Sequence, residues 1–188
     1  METDSSAGPY TADSYFALVE EGLLSPDDRV ELLEGIVVAM PPQAPLHAAG
    51  VRRVHRALQA ALGAETLISV QAPLVAGASS VPEPDVCVLA GREVDYVARH
   101  PARALLVVEV AESSLAQDRL TKSRIYAHAQ VPDFWIVNLR DRVVEWYGDP
   151  DSVARIYRRK GTAKGTDRLA LAAFPDAILT AIELLPRS

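Results

Sequence analysis

The sequence of 188 residues holds a single cysteine, Cys87. One thiol excludes an internal disulfide, and no Cys/His cluster has the spacing of a zinc site. Cys87 lies in the apolar run VCVLA, where a thiol reads as a small buried hydrophobe. No apolar run approaches the roughly 20 residues that a membrane-spanning helix needs. The opening METDSSAGPY is acidic and has no apolar stretch, so a signal peptide is not expected and the cytoplasm is the expected compartment. Positive charge is also short: 19 Lys and Arg against 25 Asp and Glu give a formal net charge of −6. Such a chain does not coat nucleic acid by charge alone. Internal repeats and low-complexity tracts are absent. So are a G-x-S-x-G elbow, a Walker loop and a G-x-G-x-x-G turn, which removes the common serine-hydrolase, P-loop and dinucleotide classes.

What is present is ordinary for a globular chain: 49% hydrophobic and 23% charged residues. The length suits one domain, which at this size buries roughly 70% of the surface of the unfolded chain. Residues 1–10 read as a flexible tail and 11–188 as a single domain. Charge is spread unevenly. Residues 1–34 carry nine acids and one base, Arg29, whereas RIYRRKGTAKGTDR (155–168) carries six bases and one acid. That basic island reads either as a phosphate-touching surface or as a solvated hairpin.

Local patterns give alternating element types. Thr11 suits the cap of a helix over roughly 12–21, and Gly22 suits its end. RVELL and IVVAM form a hairpin around Glu34–Gly35, stopped by Pro41–Pro42. A helix is expected near 45–62, because Val51, Val54, Leu58, Ala61 and Leu62 share a face. Arg52, Arg53 and Arg56 fall on its other side, and Gly63 ends it. TLISVQA reads as a strand and VAGASSVPEP as a loop. VCVLA (86–90) and ALLVVEVA (104–111) are short, branched and apolar, as strands covered on both faces are. A helix over 114–129 precedes the strands FWIVN and RVVEWYG, and the tail holds one or two short strands before the apolar segment AILTAIELL. This mixture predicts a mixed β-sheet flanked by helices.

Four features break these patterns. Glu109 interrupts ALLVVEVA on the face of Val107 and Ala111. Burying an unpaired carboxylate there costs several kcal/mol or more, so it needs a cation, a metal or a proton, unless it reaches solvent at the strand end. Asp85 follows Pro84 at a strand mouth, where a plain turn aspartate is the alternative. Asp118, Lys122 and Tyr126 are spaced by four on one helical face, as an exposed ion pair beside an aromatic ring also would be. Glu31 sits between Val30 and Leu32, which a half-exposed strand would equally explain.

Taken together, EPDVCVLA, VVEVAESS and DRLTKSRIYAHAQVPDFWIVN resemble the PD-(D/E)xK nuclease superfamily, and most closely the Uma-two family of restriction endonucleases. That family's E-L-x-(D/E)-G segment, M-x-P and histidine correspond here to Glu31, Leu32, Glu34, Gly35, Met40, Pro42 and His47. Its P-D, its E-V and its D-x-x-x-K-x-x-x-Y helix correspond to Pro84–Asp85, Glu109–Val110 and Asp118, Lys122, Tyr126. Its G-V-P-x-(Y/F)-W-I-V-D strand appears as Val131-Pro-Asp-Phe-Trp-Ile-Val-Asn138, with Gln130 and Asn138 as departures. The resemblance spans roughly 10–185.

It implies a restriction endonuclease-like α/β (α+β) core and metal-dependent hydrolysis of phosphodiester bonds in DNA. It further implies Mg²⁺ or Mn²⁺ held by Asp85, Glu109 and the carbonyl of Val110. Catalytic roles fall to Asp85, Glu109, Lys122 and Glu31, with Asp118, His47 and Tyr126 in support. The superfamily's lysine normally lies two residues after the acid. Here that position is Ala111, and the resemblance passes the role to Lys122. A homodimer is expected, because two sites cut two strands. The rival reading is a nuclease-like fold without turnover that serves as a binding or dimerisation module.

Overall fold

The computed structural model describes residues 8–25 and 27–186. Most of the expected tail, 1–7, and the last two residues of the expected domain, 187–188, lie outside the described residues. Where the chain enters, Gly8 and Tyr10 donate backbone hydrogen bonds to Glu34 and Gly35. Helix α1 (Ala12–Glu20) starts where Thr11 accepts from the Ser14 amide and Ser14 returns the bond, closing a capping box. Strands β1 (Val30–Leu33) and β2 (Ile36–Ala39) pair around Glu34–Gly35, with φ of 50° and 81°. Two positive φ values are what a tight two-residue hairpin turn requires. Helix α2 (Pro45–Leu62) starts with proline at its first position and ends at Gly63, as its pattern predicts.

The remaining strands build the sheet. In chain order they are β3 (Ile68–Ser69), β4 (Val86–Leu89), β5 (Ala104–Ala111), β6 (Asp133–Asn138), β7 (Val143–Asp151) and β8 (Ile156–Ala163). Spatial order equals chain order, and every pair is antiparallel except β5–β6. A parallel pair needs a crossover, and residues 115–128 supply it as α3 (Leu115–Gln117), a π-helical turn (Asp118–Lys122) and α4 (Ser123–His128). A small antiparallel ribbon, β9 (Arg168–Leu171) with β10 (Phe174–Thr180), precedes the short helix α5 (Ala181–Leu184).

Alternation along β5 divides the core in two. Leu106, Val108 and Val110 face Val51, Val54 and Leu58 of α2. Val107 and Ala111 face Ile125, Tyr126 and Ala127 of the crossover. Glu109 is therefore aimed into the crossover side, buried at the end of a central strand.

Four local expectations needed correction. TLISVQA forms only two paired residues, Ile68 and Ser69, opposite Val88 and Cys87 of β4. The 114–129 helix contains a π turn. The region after residue 148 holds three strands, since the basic island is mostly β8, an edge strand, and AILTAIELL splits between β10 and α5. Finally, the Asp118–Lys122 pair is buried and not a surface pair. No helix among the described residues is long and apolar enough to cross a membrane.

Candidate active site

Four separate elements bring the site together. Pairing of Val86 with Val108 puts Asp85 opposite Glu109, one step past the end of the β4–β5 ladder. There the Asp85 carboxylate takes over from the missing strand: the Val110 amide donates to Asp85 Oδ2 over 2.9 Å. Asp85 Oδ2 also lies 3.0 Å from His47 Nε2 in the first turns of α2, and Gln71 Nε2 donates to Oδ1 over 3.2 Å. Amide and carbonyl of one strand residue point to the same side, so the Val110 carbonyl lies on the Asp85 edge and not in the β6 ladder.

Glu109 is met from the crossover helix. Lys122 Nζ donates to Glu109 Oε1 over 3.1 Å, and the Tyr126 hydroxyl donates to the same oxygen over 2.6 Å. Lys122 also lies 3.2 Å from Glu31 Oε2, which accepts from the Glu83 amide as well. Asp118 accepts from the Ser114 hydroxyl over 2.7 Å. Glu31, Glu109 and Lys122 are 3%, 3% and 7% exposed. The cleft beside them has a water-accessible volume of about 120 Å³, room for several waters. Its walls include Arg29, Met40–Ala44, His47, Glu83, Glu112 and Ser113.

Carboxylates outnumber cations here, and the titration behaviour shows it. Glu109 is raised to about 8, first by burial and then by Asp118, Asp85 and Glu31, against the pull of Lys122. Asp118 is raised to about 6, first by burial and against the pull of Lys122. Burial alone would discharge Lys122. The charges of Glu109, Glu31 and Asp118 outweigh it and hold the ammonium above its ordinary range. His47 is raised because Asp85 accepts its hydrogen bond. Glu109 and Asp118 therefore hold their protons above the usual carboxylate range.

The catalytic, metal-binding and supporting residues expected from the sequence thus meet in one place. Asp85, Val110 and His47 sit on one side, and Glu109, Lys122, Glu31, Asp118 and Tyr126 on the other. Tyr126 packs in the core and also donates its hydroxyl hydrogen bond to Glu109. Sequence reasoning missed Gln71, Glu83 and Ser114. Ser114 precedes Asp118 by four residues, a detectable helical spacing. Gln71 carries no such signal, because only the β3–β4 pairing brings it to Asp85.

The donor set is all oxygen apart from His47, and Glu109 uses only Oε1 for its two hydrogen bonds. Among the described residues no three His, Cys, Asp or Glu side chains form a ready-made metal cage. Mg²⁺ does not need one: it typically uses one or two carboxylates, keeps several waters and takes further oxygens from substrate. Two carboxylates, a strand-edge carbonyl and surplus negative charge therefore fit a hard dication.

Fold and site together define a nuclease-like protein of the restriction-endonuclease type. A model of the Uma2 family, described as "Putative restriction endonuclease", matches residues 12–182, and the chain belongs to that family. The fold is similar to the crystal structure of a protein from Anabaena variabilis ATCC 29413, described as a putative nuclease belonging to DUF820. The TM-score is 0.72 at 15% identity, covering 94% of this chain and 97% of that one. No curated protein matches the chain.

Proposed function

We propose that the protein is a metal-dependent endonuclease that hydrolyses phosphodiester bonds in DNA. The observation that carries this reading is the meeting of Glu31, Glu109 and Asp118 around Lys122, beside an Asp85 tied to Val110. Asp85, Glu109 and the Val110 carbonyl would hold Mg²⁺ or Mn²⁺. Bound there, the ion would lower the pKa of its water and polarise the phosphate.

The chain's own groups supply the rest. Lys122 stays protonated in this environment, so it acts as a donor to developing negative charge and not as a base. Asp118 and Glu31 keep that ammonium in place. His47 and Gln71 orient Asp85 by hydrogen bonds to Oδ2 and Oδ1, and Oδ1, with this single bond, keeps a lone pair for an ion. Helix α2 begins at the cleft with Ala44 as its cap residue, which offers no side-chain acceptor. Its first amides are therefore available to an anion such as a phosphate. Ala111 stands where the superfamily has its lysine and favours the turnover-free reading; on the nuclease reading Lys122, which reaches Glu109 from the helix, takes over that role.

The test is nicking of supercoiled plasmid DNA in Mn²⁺, wild type against Asp85→Ala, with calorimetric titration of Mn²⁺ alongside. A loss of about 100-fold or more in the variant is expected, in the range that removing one electrostatic group from an active site costs. Equal nicking by both proteins defeats the assignment. Mn²⁺ binding without any nicking turns the reading to a silent binding module.

A further inference from the structure

The π turn Asp118–Lys122 is the only segment of the crossover with five-residue hydrogen bonding: the Ser123 amide reaches back to the Asp118 carbonyl. Four residues along an α-helix overshoot a full circle by about 40°. The wider π turn slows that rotation, which lets Asp118, Lys122 and Tyr126 face the same strand. π turns are rare and appear mostly where a site demands them. Such local geometry persists when its surroundings over-determine it.

Asp118 and Lys122 are held from within the cleft. Arg119, the first of the three residues between them, points elsewhere. Its Nε and Nη2 donate to Glu145 Oε2 and Oε1 over 2.9 and 2.6 Å. Arg119 is a half-exposed side chain, but Glu145 on β7 is buried and fixed on its own account. Asn138 Nδ2 donates to Glu145 Oε1 over 3.0 Å and also to Asp141 in the β6–β7 turn. The Tyr147 hydroxyl donates to Glu145 Oε2 over 3.3 Å. Burial would raise the Glu145 carboxyl, yet Arg119 and Asn138 hold it below its ordinary range. Single exposed ion pairs contribute little, whereas a two-pronged arginine on a networked carboxylate fixes geometry.

We propose that Arg119 is a positioning residue: by clamping the π turn to Glu145 on the sheet, it sets where Lys122 and Asp118 stand against Glu109. It touches neither the cleft wall nor the acids, so its effect on chemistry passes through Lys122. Lysine cannot reproduce the two-pronged fork, so Arg119→Lys should give only part of the effect of arginine.

The inference rests on the nuclease reading for its kinetic arm but not for its structural arm. Wild type, Arg119→Ala, Arg119→Lys and Glu145→Gln are compared by amide hydrogen exchange at 118–123, DNA affinity in Ca²⁺ and single-turnover cleavage in Mn²⁺. Expected for Arg119→Ala are faster exchange confined to the π turn, affinity unchanged within about twofold, and cleavage slower by up to about 100-fold. Arg119→Lys and Glu145→Gln should fall between it and wild type. Unchanged exchange at 118–123 overturns the proposal, as does weaker DNA binding with cleavage intact, which would make Arg119 a phosphate contact. General acceleration of exchange across the sheet also overturns it, since that marks a merely structural pair. If wild type cleaves no DNA, the nuclease reading fails while the exchange comparison still decides the clamp.

Discussion

Glu109 shows at the level of one side chain how an apparent flaw in a strand becomes a site. Its carboxyl is raised to about 8 by burial and neighbouring acids, against an unfolded value near 4.5. The folded state then binds more protons than the unfolded state between those values, so stability falls as pH rises through that window. Thermal melts of the metal-free protein should show a midpoint that drops between about pH 5 and pH 8, and Glu109→Gln should flatten that slope. A midpoint rising over the window in wild type would contradict the assigned environment. Lys122 is the counterpart. Lys122→Met leaves Glu31 and Glu109 buried without their ammonium, and breaking such a buried pair costs about 3 kcal/mol or more. Urea unfolding should record that loss, and added Mn²⁺ should restore part of it.

At the level of elements, the site is a meeting of ends. Strand β4 stops one residue short, so Asp85 caps the Val110 amide, and helix α2 starts where His47 can reach Asp85. Helix α2 also lies very close to β5: a Cβ at Gly50 would stand 2.7 Å from Val110 Cγ1 and 3.4 Å from Leu139. Glycine to alanine within a helix usually stabilises by about 1 kcal/mol. Here overpacking should reverse the sign, with Gly50→Ala destabilising by about 1–3 kcal/mol in denaturant titrations. If the protein cleaves DNA as proposed, Gly50→Ala should also slow cleavage, because the displaced residue is Val110. The β1–β2 turn illustrates a different constraint. Glu34 adopts a left-handed φ of 50° that favours glycine or asparagine, and its carboxylate pairs with Arg124 of α4 and with Arg155 before β8. Those partners explain a glutamate in that position, and they tie the hairpin carrying Glu31 to the crossover carrying Lys122.

For the whole molecule, acid surplus is the governing fact. A chain of net charge −6 with several carboxylates in its cleft repels a polyanion until a cation occupies the cleft. DNA affinity should therefore strengthen in Mg²⁺ or Ca²⁺ relative to chelator, as filter binding would measure; equal affinity in both would count against the site. The basic island offers less to phosphates than its composition suggests. Arg155 and Arg158 pair with Glu34 and Asp151, and Arg159 stands over Trp146. Cutting both strands of a duplex would call for two copies of the chain, which sedimentation in the presence of metal and DNA would reveal.

Local pattern in the chain was enough for the hairpin turn, both ends of α2, the full extent of β5 and the oddity of Glu109, because periodicity and turn chemistry act over a few residues. The motif spacing of Asp85, Glu109, Lys122 and Glu31 pointed to the site's membership. Only the packed fold decided that Glu31 joins Glu109 through a shared ammonium, that Gln71 and His47 hold Asp85, and that Arg119 leaves the site for Glu145. The π turn within 115–128 was equally out of reach of sequence. Each of these depends on contacts across many residues of chain, and on burial that turns ordinary surface charges into obligatory partners.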